Sequence, residues 1–126
     1  MPKSYFNKLM NSFKYATNGI AQMFKSELNA KIHLVVAMLV IGAGFLFDVT
    51  RFEWLILILL IGMVLVAEGL NTAIEHLADS FTLEKHPEIG KAKDIAAGAV
   101  LLAAITAAII GLLLFIPHFA AWLNSL

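Results

Sequence analysis

The chain has 126 residues, of which 60 % are hydrophobic and 14 % are charged, and its formal net charge is zero. Soluble domains average about 45–50 % apolar and about 25 % charged residues, so this composition excludes an ordinary soluble protein. It predicts an all-α membrane protein with a single domain over residues 1–126. There is no cysteine, which excludes disulfides, thiol nucleophiles and cysteine-based metal sites.

Residues 1–28 are predicted to form an amphipathic helix that lies on the membrane surface. Apolar residues recur there at helical spacing, and the lysines occupy other positions. This pattern is typical of an interfacial helix whose lysines lie near anionic headgroups. The alternative is a helix packed on a soluble partner. The dipeptide Asn18-Gly19 can break such a helix.

Three membrane helices are predicted, over about residues 29–48, 53–80 and 91–118. Gly42 and Gly44 are interpreted as close-packing positions between helices. The third helix has faces rich in alanine and glycine. Small residues let helix backbones approach closely, which favours a tightly packed oligomer.

Two polar connections join the predicted membrane helices. Residues 48–53 form a short turn, and Trp54 after it is predicted to anchor the next helix at the interface. Residues 81–91 form the second connection, in which Pro87 and Gly90 are predicted to break the helix. An interfacial tail is predicted to contain His118, Trp122 and Asn124.

The basic residues predict the orientation of the chain. All but Arg51 of the nine lysines and arginines precede the first span or lie between the second and third. Basic residues are enriched on the cytoplasmic side of membranes. We therefore expect a multi-pass protein of the cell inner (cytoplasmic) membrane, with the N-terminus and the 81–91 loop in the cytoplasm and the C-terminus outward.

A polar stripe runs along the second predicted membrane helix. Glu68, Asn71, Glu75 and Asp79 stand at i, i+3, i+7 and i+11, so they share one helix face. Acidic residues within the membrane are rare, because inserting each one costs about 2.5–3.5 kcal/mol. Such a residue therefore indicates a functional site. The alternative, a helix simply running out into water, fits Asp79 better than it fits Glu68.

The predicted topology brings five carboxylates to one membrane boundary, near Lys91 and Lys93. This acid cluster comprises Glu27, Glu68, Glu75, Asp79 and Asp94. Clustered carboxylates repel one another, so either some are protonated or a cation lies among them. Oxygen ligands favour a hard cation such as Mg²⁺, which commonly binds one or two carboxylates together with substrate phosphates. The residue types therefore indicate a nucleotide phosphate site.

Other functions remain open from the residues alone. A small oligomeric proton- or ion-conducting protein would use a similar acid stripe, and a structural membrane adaptor is a third interpretation. No GxxxxGK[ST], GxGxxG or HRD motif is present, so phosphoryl transfer would need another scaffold. The four histidines, 33, 76, 86 and 118, lack zinc-ligand spacing.

In the polar stripe and the acid cluster, the chain resembles the small bacterial membrane diacylglycerol/undecaprenol kinase family. The resemblance covers nearly the whole chain and is carried by Glu68-Gly-Leu-Asn-Thr-Ala-Ile-Glu75, Asp79, His86-Pro87 and Lys93-Asp94-Ile-Ala-Ala-Gly98. It implies a homotrimer with a surface helix and three membrane helices per subunit. It also implies MgATP-dependent phosphorylation of a lipid hydroxyl in active sites shared between subunits.

The resemblance implies a role for each matching residue. Glu68 is expected to accept the proton of the lipid hydroxyl, and Glu27 and Glu75 to hold Mg²⁺. The residues expected to bind ATP are Lys8, Tyr15, Glu27, Asn71, Glu75, Glu84, Lys85, His86, Lys93 and Asp94.

The resemblance favours undecaprenol over diacylglycerol as the acceptor. The forms Asn71–His76, His86-Pro87 and Ile110–Pro117 look closer to the undecaprenol kinase-like members. The apolar spans themselves do not distinguish a prenyl chain from acyl chains. Nucleic acid is not expected among the partners.

Overall fold

The computed structural model describes residues 2–126 as four α-helices joined by short connections. Met1, the first residue of the predicted surface helix, lies outside the described residues. The helices are α1 (Pro2–Ser26), α2 (Leu28–Leu46), α3 (Arg51–Phe81) and α4 (Pro87–Asn124). The last three are long and apolar enough to cross a membrane. The predicted all-α class and the three predicted spans are therefore confirmed.

The first helix is continuous through Asn18-Gly19 and ends at Ser26, so the chain does not break where the sequence allowed. One glycine inside a helix costs only about 1 kcal/mol, which the flanking turns can offset. The break falls instead at Glu27, whose backbone is extended (φ −102°, ψ 118°). The Glu27 side chain makes no capping hydrogen bond to α2, which leaves the carboxylate free to face other helices.

A tight turn ends α2 and reverses the chain. The Val49 amide donates to the Gly44 carbonyl (3.1 Å), and the Asp48 amide donates to the Phe45 carbonyl (3.3 Å). This is the hydrogen-bond pattern of a Schellman motif, with Asp48 in the left-handed conformation (φ 50°) that glycine usually adopts. Val49 is buried beneath the turn. The turn thus fixes the angle at which α3 leaves α2.

The third helix begins at Arg51, two residues earlier than predicted, because Thr50 and Glu53 form a capping box. The Glu53 amide donates to Thr50 Oγ1 (3.2 Å), and the Thr50 amide donates to Glu53 Oε1 (3.0 Å). The Trp54 indole lies against Gly44, where a Cβ atom would come within 2.5 Å of the ring. The close-packing prediction is therefore confirmed for Gly44, whereas a Cβ at Gly42 would meet nothing within 4 Å.

The fourth helix begins at Pro87 and continues to Asn124, so it extends beyond the predicted bounds at both ends, and the predicted helix break was wrong. Pro87 and Gly90 do not break the helix. Proline suits the first helical position because its missing N–H has no partner there, and the Gly90 amide donates to the His86 carbonyl (2.8 Å). At the other end, the helix passes through Pro117, and the residues predicted as an interfacial tail belong to it.

The helix α3 is central, because α1, α2 and α4 all pack against it. Its buried residues form one stripe, Leu57, Leu60, Val64, Glu68, Asn71 and Thr72. Facing residues on α4 are small or β-branched, namely Ala96, Val100 and Ala103. Many large apolar side chains elsewhere on the three spans are exposed, which suits contact with lipid chains or with further helices.

An apolar groove of about 430 Å³ lies between α2 and α4, and residues of α3 form its base. Its walls are aliphatic or aromatic, apart from His33 at one end. The lining comprises His33, Val36, Ala37, Val40, Leu57, Leu60, Ile61, Val64, Leu65, Ala104, Ala107, Ala108, Gly111, Leu112 and Phe115. The groove therefore follows the membrane-spanning part of the fold and ends beside the polar part of the α3 stripe.

Candidate active site

The candidate site begins where the buried stripe of α3 changes from apolar to polar. Glu68 exposes only 2 % of its surface, and Asn71 and Thr72 are also buried. Three of their atoms, Glu68 Oε2, Asn71 Oδ1 and Thr72 Oγ1, have no hydrogen-bond partner. Buried polar atoms are nearly always hydrogen-bonded. Three unpartnered atoms on one helix face therefore indicate a place where a polar ligand or a further chain binds.

One ionisable neighbour of Glu68 comes from α2. His33 Nε2 lies 3.6 Å from Glu68 Oε2, which is longer than a hydrogen bond. The sequence analysis considered His33 only as a zinc ligand and missed this pairing. The available signal was a single histidine at the start of an otherwise apolar span.

The break between α1 and α2 brings Glu27 to the same region. Glu27 Oε1 lies 3.4 Å from His76 Nε2 on α3, and the side chain is half-buried. The charges of Glu27 and Glu75 both act on Glu68, so these three members of the acid cluster lie together. His76 is a second neighbour that the sequence analysis missed.

The remaining members of the acid cluster surround Lys93. Its Nζ donates to Asp79 Oδ1 at 2.8 Å, which joins α3 to α4. The charges of Glu75 and Asp94 also act on Lys93. Glu75 therefore lies between the Glu68 region and the Lys93 region, and the structure brings the predicted acid cluster together around both.

A polar pocket of about 420 Å³ adjoins Lys93 at the α3–α4 loop. Three residues predicted to bind ATP, Glu84, Lys85 and His86, line it together with Lys93 and Asp79. A second pocket of about 540 Å³ lies between α1 and α3 and is lined by Met23, Gly69, Thr72 and His76 among others. The two pockets flank the polar part of α3.

Two predicted ATP ligands are not brought to the cluster within this chain. Lys8 and Tyr15 are exposed on α1 and line neither of these two pockets. Among the described residues there is also no group of three histidines or acids placed to hold a metal ion by themselves. A cation bound here would need ligands beyond the protein, as phosphate oxygens would supply.

Comparison with known proteins decides the family. Residues 14–115 match the sequence profile described as prokaryotic diacylglycerol kinase. The chain belongs to this family. A relative named undecaprenol kinase, from Bacillus subtilis (strain 168), is 43 % identical over 91 % of the chain and 94 % of its own length.

Relatives named diacylglycerol kinase are also similar to the chain. The protein from Synechocystis is 40 % identical over 86 % of the chain and 63 % of its own length. That from Escherichia coli (strain K12) is 30 % identical over 90 % of the chain and 93 % of its own length. As a member of the prokaryotic diacylglycerol kinase family, the chain is a membrane lipid kinase with ATP as co-substrate. The comparisons give no support to an ion-conducting protein.

Proposed function

We propose that this kinase transfers the γ-phosphate of ATP to the hydroxyl of undecaprenol in preference to diacylglycerol. The observation that carries the proposal is the buried Glu68 carboxylate, which has an unpartnered oxygen and lies where an apolar groove meets a polar region. The groove offers a single polar side chain, His33. A prenol brings only its hydroxyl into such a lining, whereas diacylglycerol also brings two esters whose desolvation would be unfavourable. The 43 % identity to an undecaprenol kinase supports the same choice.

Glu68 acts as the general base. The lipid oxygen attacks the γ-phosphorus, the bond from that phosphorus to the oxygen of ADP breaks, and the hydroxyl proton passes to Glu68. A positioned base contributes about 10²–10⁴-fold to such a step. Most of the remaining acceleration comes from alignment of the reactants and neutralisation of phosphate charge.

The acidic residues beside Glu68 fit a magnesium ion. Glu27 and Glu75 lie near enough to Glu68 for their charges to act on it, and carboxylate oxygens are ligands that Mg²⁺ prefers. We assign both residues as its protein ligands, with phosphate oxygens completing the coordination. The bound ion would supply charge neutralisation at the transferred phosphoryl group.

The nucleotide occupies the pocket at the α3–α4 loop. Lys93 contacts the phosphates, and Asp94, the next residue on α4, contributes to the same site. Asn71, whose amide oxygen is unpartnered, lies with Glu68 on the buried face of α3 and also binds ATP. Glu84, Lys85 and His86 line the same pocket and contact the nucleotide. The proximity of Lys93 to Asp79 supports this placement, because the lysine is already held at the pocket wall.

The proposed assembly is a homotrimer with shared active sites in the cell inner membrane. Exposed apolar faces on all three spans and small residues along α4 support helix contacts between subunits. In this arrangement α1 is an amphipathic surface helix, and its Lys8 and Tyr15 reach the nucleotide of a neighbouring subunit. The N-terminus and the α3–α4 loop lie in the cytoplasm, and the C-terminus lies outside.

The test is MgATP-dependent phosphate transfer in mixed micelles, with undecaprenol and diacylglycerol offered separately and Glu68→Gln as the control. We expect faster transfer to undecaprenol, and transfer by the variant that is slower by about 10²–10⁴-fold. Preferential transfer to diacylglycerol would reject the proposed acceptor. Full activity of Glu68→Gln would reject the proposed base.

A further inference from the structure

His33 is the polar end of an otherwise apolar surface. Along α2, the residues that line the groove run from His33 through Val36 and Ala37 to Val40. Its side chain is 22 % exposed, and its Nε2 faces Glu68 on α3 at 3.6 Å. A lipid hydroxyl that reaches Glu68 along the groove must therefore pass beside the imidazole ring.

The contact between His33 and Glu68 is nearly, but not fully, made. Glu68 Oε2 is closed off from solvent and has no hydrogen-bond partner. Charge-assisted N–H···O bonds have lengths of about 2.7–2.9 Å, so a movement of less than about 1 Å would join the two atoms. A carboxylate oxygen left unpartnered in a buried site gains more from such a bond than an exposed one would.

The surroundings of Glu68 make His33 the suitable partner for this bond. The carboxylates of Glu27 and Glu75 act on Glu68 with like charge, whereas His33 acts on it with opposite charge when protonated. A neutral imidazole with a proton on Nε2 also donates to a carboxylate. A base that is not held in one orientation loses much of its effect, because a misplacement of about 1 Å can reduce turnover by about 10²-fold.

We propose that His33 is a positioning residue for Glu68. When the lipid hydroxyl enters, Nε2–H of His33 donates to Glu68 Oε2, and the fixed carboxylate presents Oε1 to the hydroxyl proton. This inference rests on the proposed function of Glu68 as the base. It differs from a plain packing role because it predicts an effect on kcat rather than on folding or on nucleotide affinity.

Two substitutions at His33 separate these roles. We expect His33→Leu to lower kcat for lipid phosphorylation by about 10- to 100-fold, with the KM for ATP unchanged and thermal stability in detergent retained. His33→Gln keeps an N–H donor at similar reach, so it should recover most of the lost turnover. Equal losses in both variants, or an unchanged kcat in His33→Leu, would overturn the positioning role.

Two controls complete the experiment. His118→Leu removes a histidine that faces another α3 glutamate, Glu53, far from the candidate site, and it should leave kcat unchanged. In the Glu68→Gln background, His33→Leu should cause no further loss, because His33 acts through Glu68. An additional loss there would overturn the inference while leaving the base assignment intact. An active Glu68→Gln variant would instead overturn the base assignment, and the role of His33 with it.

Discussion

Two glutamates on α3 each face a histidine from another helix, and the two pairs differ in how completely they are bonded. At the turn end of the molecule, which holds the α2–α3 turn, Glu53 Oε2 lies 2.9 Å from His118 Nε2, and its Oε1 also accepts from the Thr50 amide. At the loop end, which holds the α3–α4 loop, Glu68 lies 3.6 Å from His33 and keeps an unpartnered oxygen.

The difference separates a pair that serves the fold from the pair proposed to take part in the reaction. Glu53 caps its own helix and ties the start of α3 to the far part of α4, where Phe47 also packs near Phe115 and Phe119. Its bonding capacity is used within the fold. Glu68 is more deeply buried and yet less satisfied, so its remaining capacity is available to a substrate.

The largest expected effect is on the rate of lipid phosphorylation, and it distinguishes the two glutamates. Glu68→Gln should reduce lipid phosphorylation by about 10²–10⁴-fold, because it removes the proposed base while keeping the shape. MgATP should still stabilise this variant against heating. The Glu53→Gln variant should phosphorylate the lipid at the normal rate. Similar kinetic losses in both variants would show that the two pairs do not differ in role.

A second substitution tests the acidic neighbours that distinguish the loop end. Glu75→Gln should weaken Mg²⁺-dependent nucleotide binding by about 10-fold or more, since it removes one proposed metal ligand. The measurement is thermal stabilisation by ATP across a Mg²⁺ titration. Glu88→Gln, which changes an exposed acid on α4, provides the control. An unchanged Mg²⁺ dependence in Glu75→Gln would contradict the assignment.

Close packing at the turn end gives a third expectation. Gly44→Ala should destabilise the protein by about 1–3 kcal/mol, because the added methyl group meets the Trp54 ring and the core resists overpacking. Gly42→Ala on the same helix meets nothing within 4 Å and should be nearly neutral. Thermal unfolding in detergent measures both. Equal stability of the two variants would show that the ring moves aside freely.

The smallest expected effect is at the turn-end pair itself. His118→Leu should lower stability by about 1–2 kcal/mol, because Glu53 loses one of its two partners while the capping bond from Thr50 remains. Lipid phosphorylation measured well below the unfolding temperature should not change. A loss of activity without a loss of stability would place this pair in the reaction.

The structural features that depend on the repeat of a single helix could be predicted from the sequence. The three spans and the shared face of Glu68, Asn71 and Glu75 follow directly from hydropathy and the helical repeat. The family resemblance, which the comparisons confirm, suggested the residues that now line the loop pocket. These are properties of neighbouring residues on one helix or of a recognisable motif.

Contacts between helices could not be predicted in the same way. The histidines that face Glu68 and Glu53 are set by the rotation and depth of α2 and α4 against α3, which a single-helix pattern does not contain. Thr50-x-x-Glu53 was a readable capping signal that the sequence analysis missed. Pro87 was misread because proline both ends helices and begins them.

The burial of Glu68 also affects how the enzyme uses ATP. Water is the most abundant hydroxyl compound near any membrane, and a base open to it would activate water as readily as a lipid alcohol. Glu68 exposes only 2 % of its surface and adjoins a groove whose lining repels water. With Glu68 as the base, the acceptor is selected by its solubility in hydrocarbon. This arrangement would suppress futile hydrolysis of ATP, so that most of the nucleotide consumed would yield phosphorylated lipid.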